Sequence, residues 1–397
     1  MRKLQVSSKA NCVFCGRKPE KKSREHIIPQ WLIKKTGDPK RQAFFGMPIC
    51  DRDEEGVYTK INAPNSDNVD TKGRVFSFDN FTFPACEKCN GDYSNLEAKV
   101  KDVYERMSDN KSIDREQINL FLDWMDKVRV GVWLGLRQLD KNVADIEPNF
   151  AISHRMGCYD RILMIKRFEN QPQGVNFIGS ENFSFAIMPS VFCLRINDLY
   201  FFNVSSMFLV SHGLGFPYID GMKLDNNSDR LIVDPLPGKE KITQPIFGRD
   251  VWGGAVCIIQ PMFKNSLVEE NADSELSKLY ETDYILENSL EPKEGKGAIF
   301  IRQVDGSVKK MEVDEGLKID YSKGAKDPRH DPIRVYIEVL NWQNYLIKEQ
   351  LQNMNLDLLS EEQKAYVNEK YGFAQRTNDV LIQHAQNSLY KDMMLSW

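Results

Sequence analysis

The sequence predicts an α+β protein, and three features of the chain support this class. Two Cys-x-x-Cys pairs, at 12–15 and 86–89, bracket a basic and irregular N-terminal segment. Apolar residues recur with helical spacing over about 90–139 and again over 333–395. Between them, residues 150–262 contain short aromatic and β-branched segments bounded by Gly, Pro, Asn or Asp, which is typical of strands.

The bulk composition is that of an ordinary globular protein. The chain has 397 residues, of which 41% are apolar and 28% charged, and this length suits two or three domains. No stretch approaches the roughly 18–20 consecutive apolar residues that span a bilayer, so we expect no membrane partner. The first residues lack the apolar core of a secretory signal. These features predict a cytoplasmic protein, where closely spaced cysteines are metal ligands more often than disulfides.

The paired cysteines predict a zinc site. Cys12 and Cys15 form the first pair and Cys86 and Cys89 the second, and each spacing lets both thiolates bind one tetrahedral zinc ion. Four thiolates fill the coordination sphere, so the predicted zinc is structural rather than catalytic. The alternative is that all are free thiols. We expect that state for the single cysteines in apolar contexts, which are Cys50, Cys158, Cys193 and Cys257.

The predicted elements follow in chain order. A helical run, IIPQWLIKK, ends at residue 35, and the polar residues 36–78 then form an insertion that is long for a structureless loop. Helices are predicted at 90–107 and 113–139, and two more at 333–353 and 360–395. The predicted strands are FAISH (150–154), RILMIKRF (161–168), NFSFAIM (182–188), VFCLRI (191–196), YFFNVSSMFLV (200–210) and GGAVCIIQ (253–260).

One compound motif makes the N-terminal region specific. The sequence Glu25-His26-Ile27-Ile28-Pro29 lies between the cysteine pairs, and Asn90 follows the second pair directly. Together, Cys-x-x-Cys, Glu-His-Ile-Ile-Pro and Pro-Ala-Cys-x-x-Cys-Asn resemble the zinc-stapled branch of the HNH endonucleases. The fold of that family is the ββα-metal (His-Me) finger. The resemblance covers about residues 10–105.

The resemblance implies a function and a division of the chain. It implies a metal-dependent endonuclease that hydrolyses phosphodiester bonds in DNA. By fold-level analogy it also implies a bacterial anti-phage defence or restriction effector. The nuclease domain would span 1–110 with its insertion at 36–78, and a helical connector would span 111–145. The α+β region 146–397, a β-rich middle followed by C-terminal helices, would then serve regulation, targeting or oligomerisation.

The resemblance also implies roles for single residues. His26 would be the general base that takes a proton from the attacking water, a task that suits an imidazole near neutral pH. Glu25 and Asn90 would bind the catalytic cation, for which oxygen donors favour Mg²⁺ or Mn²⁺. Each residue also has an ordinary alternative. His26 would be a surface histidine, Glu25 an ion-pair partner of Arg24 or Lys22, and Asn90 a helix N-cap.

The chain departs from the family pattern at the middle asparagine. That residue usually lies about five positions before the second cysteine pair, where this chain has Phe81, and Asn80 lies one position earlier. A slip of one residue turns a side chain to the other face of a strand. Asn80 therefore acts as the third catalytic residue only if a β-bulge intervenes.

Glu97 has two interpretations. It lies on the same predicted helical face as Asn90, from which it would support the metal site. Alternatively it forms an exposed pair with Lys101 one turn further along, and this surface pair is the expected arrangement.

Charge is distributed unevenly along the chain. The formal net charge is −4, yet residues 1–45 contain twelve Lys and Arg against three acidic residues. This segment predicts phosphate contacts and therefore DNA as a partner, with a solvated surface as the alternative. The C-terminal region would bind a second copy of the chain, a regulatory protein or a ligand. Two other functions stay open: a non-catalytic zinc module that binds nucleic acid or protein, and a nuclease that acts on RNA.

Overall fold

The chain has a mixed α+β fold, as the sequence predicts. A computed structural model describes the following residues, to which every structural statement applies: 12–37, 42–45, 50–52, 58–61, 74–77, 82–139, 160–180, 182–187, 190–206, 218–224, 231–236, 256–262, 287–291, 295–302, 307–321, 331–353 and 356–395. In these ranges, no helix has both the length and the apolar composition that crossing a membrane requires.

The secondary structure elements are given with their bounds. The helices are α1 (Gln30–Lys35), α2 (Glu87–Ser108), α3 (Arg115–Leu139), α4 (Phe183–Ile187), α5 (Asp331–Asn353) and α6 (Glu361–Leu395), with a 3-10 turn at Leu356–Leu358. The strands are β1 (Lys22–His26), β2 (Gln42–Phe45), β3 (Cys50–Arg52), β4 (Tyr58–Ile61), β5 (Arg74–Ser77), β6 (Thr82–Cys86), β7 (Asp160–Arg167), β8 (Val175–Ile178), β9 (Val191–Ile196), β10 (Leu199–Ser206), β11 (Tyr218–Leu224), β12 (Leu231–Leu236), β13 (Val256–Gln260), β14 (Ser289–Glu291), β15 (Lys296–Gly297), β16 (Phe300–Arg302) and β17 (Val308–Lys310).

Two strands and a helix form the N-terminal unit. β1 pairs antiparallel with β6, and the register places His26 opposite Thr82. α2 begins directly after β6, so the two strands and the helix meet at the second cysteine pair. Parts of the predicted insertion at 36–78 are also ordered into strands, because β2 pairs with β5 and β3 with β4.

α2 and α3 pack against each other beside β1. α3 begins with a capping box, in which Gln117 N donates to Asp114 Oδ1 at 2.8 Å and Asp114 N donates to Gln117 Oε1 at 3.0 Å. Both helices confirm the predictions at 90–107 and 113–139, although α2 begins earlier than predicted. The buried face of α2 has helical spacing and consists of Val100, Val103, Tyr104 and Met107.

A seven-stranded antiparallel sheet forms the middle of the protein, in the order β17-β16-β13-β7-β10-β9-β8. Side chains alternate between the two faces of a strand, and both faces are buried. Leu163 and Phe201 face α2 and α3, in one core that also contains Ile27. Met164 and Phe202 face α5 and α6 in a second core. α3 therefore lies between the N-terminal unit and the sheet.

Most predicted elements are confirmed, and one is wrong. β7, β9, β10 and β13 coincide with predicted strands, although β7 and β10 begin one residue earlier than predicted, and α5 and α6 match the predicted C-terminal helices to within two residues. The segment 182–188, predicted as a strand, contains the helix α4 instead. A short apolar run does not distinguish a buried strand from a buried helix, and the contact of Phe183 with Phe373 of α6, with ring centroids 4.3 Å apart, favours the helix. The segment 150–154 lies outside the described residues.

Candidate functional site

The four paired cysteines form one cluster. The sulfur atoms of Cys12, Cys15, Cys86 and Cys89 all lie within 4.8 Å of one another. A tetrahedral zinc ion with Zn–S distances of about 2.3 Å would hold its sulfurs about 3.8 Å apart, so the cluster fits zinc. This group confirms the expectation that residues far apart in the sequence form one four-thiol site.

Local backbone structure turns both pairs towards the cluster. The first pair lies on a tight turn, in which Gly16 N donates to Cys12 O at 2.9 Å and Gly16 adopts a φ of 72°. This left-handed conformation suits glycine because a Cβ atom would be strained there. In the second pair, Cys86 is the N-cap of α2, and its sulfur accepts a hydrogen bond from Cys89 N at 3.4 Å. Val13 N also donates to Pro84 O at 3.0 Å and holds the turn against β6.

The electrostatics of the cluster also suit a cation. Burial raises the pKa of the Cys89 thiol, and the neighbouring thiols Cys86, Cys12 and Cys15 raise it further. A bound zinc ion reverses this effect because it stabilises the thiolate form of its ligands. The donor set is therefore that of a structural tetrathiolate zinc site.

Glu25 is buried and paired with a lysine from α3. Its side chain is 6% exposed, and its Oε1 lies 2.5 Å from Nζ of Lys127, whose side chain is fully buried. Lys127 Nζ also donates to the main-chain oxygen of His26 at 3.0 Å and to Oε1 of Glu97. The ion pair that was the alternative for Glu25 therefore exists, but its partner comes from α3.

Glu97 belongs to this buried cluster. Its partner is Lys127, so the expected surface pair with Lys101 is wrong. Burial raises the pKa of Glu97 to about 7; the positive charge of Lys127 opposes this shift and the negative charge of Glu25 adds to it. One ammonium group thus lies between two carboxylates in a site from which water is largely excluded.

His26 lies at the end of β1 and is half-buried. Since side chains alternate along a strand, its ring lies on the opposite face of β1 from Glu25, on the same side as the exposed Arg24. The imidazole is thus on the accessible side of the strand, while the Glu25 carboxylate is held inside.

The two predicted asparagines have different outcomes. Asn90 is half-buried in the first turn of α2, two turns before Glu97. Its alternative role as an N-cap is wrong, because Cys86 has that position. Asn80 lies outside the described residues.

Sequence reasoning missed two residues of α3. One is Lys127. The other is Gly131, which matters because it packs closely against the motif: a Cβ atom there would lie 2.3 Å from Cδ1 of Ile27. For Lys127 the sequence does contain a signal, because the charged residues Asp126, Lys127 and Arg129 lie inside a strongly apolar helix. Charged residues on a buried helix are paired with partners elsewhere in the chain, and the sequence alone did not identify those partners.

A second buried ionic cluster lies on the side of α3 that faces the sheet. Arg161 Nη1 donates to Asp123 at 2.6 Å and to Asp126 at 3.2 Å. Lys296 donates to Asp123 at 2.8 Å, and Arg129 donates to Asp126 at 3.0 Å. With every group ionised, this cluster has one positive charge in excess, and the cluster at β1 has one negative charge in excess. The excess charges on the two sides of α3 therefore cancel.

Comparisons of the chain with protein-family models, curated proteins and solved structures found no match. Function is accordingly indicated by the compound motif together with the arrangement of β1, β6, α2 and the four cysteines.

Proposed function

We propose that this protein is a metal-dependent endonuclease of the HNH type that hydrolyses phosphodiester bonds in DNA. The observation that carries the proposal is the cysteine cluster, which joins the first Cys-x-x-Cys turn to the start of α2. With β1 paired to β6, this connection brings the Glu25-His26 dipeptide and Asn90 onto adjoining elements in the order strand, strand, helix. That order is the one expected of a ββα-metal finger.

In this proposal the residues of the chain act as follows. His26, half-exposed at the end of β1, takes a proton from a water molecule that attacks the phosphate. Asn90 and Glu25 would hold a hard divalent cation such as Mg²⁺ or Mn²⁺ through their side-chain oxygens. A bound cation of this kind neutralises charge on the phosphate and on the leaving oxygen. Arg24, exposed on the same face of β1 as His26, binds a neighbouring phosphate.

The rest of the chain fits a controlling role. A minimal finger contacts mainly the sugar-phosphate backbone of the nucleic acid and therefore selects sequences poorly. The sheet and the C-terminal helices would then supply targeting, oligomerisation or control. By analogy with bacterial proteins of this layout, the biological role we propose is anti-phage defence or restriction.

A plasmid cleavage assay tests the proposal. Wild-type protein should cut plasmid DNA when Mg²⁺ or Mn²⁺ is added. His26→Ala should lower the rate by roughly 10²–10⁴-fold, the usual contribution of a general base. His384→Ala is the matched control, because His384 is an exposed histidine on α6. Equal rates for wild type and His26→Ala, with the zinc content unchanged, would refute the assignment.

A second candidate is a non-catalytic zinc module that binds nucleic acid or protein. The pairing of Glu25 with Lys127 favours it, since a carboxylate neutralised by an ammonium group has less need of a metal ion. Tight DNA binding without cleavage, across several divalent cations, would support this candidate. The same assay with RNA identifies a ribonuclease.

A further inference from the structure

The ammonium group of Lys127 uses all of its hydrogen-bonding capacity inside the N-terminal unit. A lysine has three N–H donors, and here they meet three acceptors: Glu25 Oε1, Glu97 Oε1 and the main-chain oxygen of His26. The Lys127 side chain is fully buried, whereas those of Glu25 and Glu97 are 6% and 12% exposed. Such a cluster has a defined geometry, because every buried charge in it has a partner.

The three acceptors come from two different elements of the proposed active site. Glu25 and His26 belong to β1, and Glu97 belongs to α2, which also contains Asn90. The cysteine cluster connects the same strand-and-helix unit at the N-terminal end of α2. Lys127 therefore forms a second connection between β1 and α2, about two helical turns further along.

Lys127 and Glu97 are largely buried and paired with each other, which favours an indirect role for both. Lys127 is fully buried and so does not reach a phosphate of bound DNA. Glu97 lies about two helical turns after Asn90, and its Oε1 is taken by the ammonium group of Lys127 in the buried cluster. Each would act through another residue.

Gly131 of α3 provides another contact between this helix and the motif. It lies one turn after Lys127, and its hydrogen faces Ile27, the residue that follows His26. α3 thus contacts three successive residues of the motif: the side chain of Glu25, the main chain of His26 and the side chain of Ile27.

We infer that Lys127 is a positioning residue of the proposed nuclease site, and that α3 is an integral part of that site. Its ammonium group holds the Glu25-His26 dipeptide at a fixed position against α2 and so orients the His26 imidazole relative to Asn90. The inference rests on the proposed function, because that proposal makes His26 the reactive group.

The first measurement is independent of cleavage. Diethyl pyrocarbonate modifies exposed imidazoles, and mass spectrometry of peptides from the full-length native protein gives the rate at each histidine. The ratio of the rate at His26 to that at His384 should rise severalfold in Lys127→Met, because the main chain of His26 loses its anchor. Unfolding would also raise this ratio, because His26 is half-buried whereas His384 on α6 is already exposed, so the rates are compared only under conditions in which circular dichroism shows each variant to be folded.

The second measurement is cleavage kinetics on DNA. Because Lys127 does not contact DNA, its loss should lower kcat by about 100-fold, the cost of a misplacement of about 1 Å, and leave KM unchanged. Lys127→Arg keeps the positive charge and should restore part of both readouts. Lys101→Met is the matched control, because Lys101 is an exposed lysine of α2, and it should behave as wild type.

Lys127→Met leaves two buried carboxylates without a cation and is the variant most at risk of not folding. If it does not fold, the double variant Lys127→Met/Glu97→Gln replaces it, because it also removes the anchor of His26 and leaves only the Glu25 carboxylate without a cation. A wild-type His26-to-His384 ratio in the folded variants at 97 and 127 would overturn the inference. If the wild-type protein cuts no nucleic acid, the proposed function fails, and the modification ratio alone decides whether Lys127 positions His26.

Discussion

Gly131 of α3 lies directly against Ile27, the residue that follows His26: a Cβ atom at position 131 would lie 2.3 Å from Cδ1 and 3.0 Å from Cγ1 and Cγ2 of Ile27. Ile27 is fully buried in the core, so a shift of its side chain would also displace its packed neighbours. A helix that begins at Arg115 therefore determines how closely the core can pack behind the Glu-His-Ile-Ile-Pro motif.

Gly131→Ala should destabilise the protein despite the higher helix propensity of alanine. Overpacking in a filled core costs about 1–3 kcal/mol in the free energy of unfolding, and chemical denaturation measures it. Gly91→Ala is the control, because a Cβ atom at Gly91 in α2 meets nothing within 4 Å. There the substitution should raise stability by about 0.5–1 kcal/mol. Equal effects of the two substitutions would contradict the close approach of α3.

Zinc should be present at about one ion per chain, and its removal should destabilise the N-terminal unit. Cys86→Ser should abolish zinc binding and lower the thermal midpoint through the loss of the metal alone, since serine can still cap α2. Cys193→Ala should keep a full zinc content, because Cys193 is buried in the middle sheet. Metal analysis of the purified proteins, together with melting curves with and without a chelator, measures both effects. A metal-free wild type with an unchanged melting curve would argue against the site.

The ionic cluster between α3 and the sheet should contribute to stability only as long as it is complete. Arg161→Met leaves Asp126 partly unpaired in a buried position and should cost about 3–5 kcal/mol in the free energy of unfolding. Lys111→Met removes an exposed pair with Asp109 and should leave the free energy of unfolding nearly unchanged. Denaturant titrations of the two variants give the comparison. A small loss in the free energy of unfolding for Arg161→Met would show that the buried groups of this cluster are not paired as described.

The thiol of Cys257 should be inert in the folded protein. Burial raises its pKa to about 12, whereas the positive charge of Arg302 lowers it slightly. The pKa of an unfolded cysteine is about 8.5, so this thiol contributes stability below that pH and loses the contribution progressively as the pH rises towards 12. Iodoacetamide at pH 7–9 should label Cys257 only after denaturant is added, as peptide mass spectrometry would show.

The Cys257→Ala variant completes this test. Between pH 8.5 and 10.5 the free energy of unfolding should fall less steeply in the variant than in wild type. This difference isolates one thiol from the other groups that titrate in the same range. Parallel slopes, or labelling of the native protein at the rate of a free peptide thiol, would contradict the burial of Cys257.

Local sequence patterns predicted most of the elements but only part of the candidate site. The helices α2, α3, α5 and α6 have long apolar repeats, which identify a helix without tertiary information. α4 was misassigned because five residues are too few to show a period. Glu97 was placed on the correct helix face, but its partner was wrong, because Lys101 is close in sequence whereas Lys127 approaches only after α2 and α3 pack together.

The sequence by itself determined the α+β class, the two Cys-x-x-Cys pairs and the face of α2 that contains Asn90 and Glu97, because each depends on the spacing of residues within short segments. Only the tertiary structure decided that the carboxylate of Glu25 is neutralised by Lys127 and that Gly131 packs behind the motif. The physical reason is burial. A charged side chain removed from water takes the partner that the packed chain supplies, and that partner lies about a hundred residues further along the sequence.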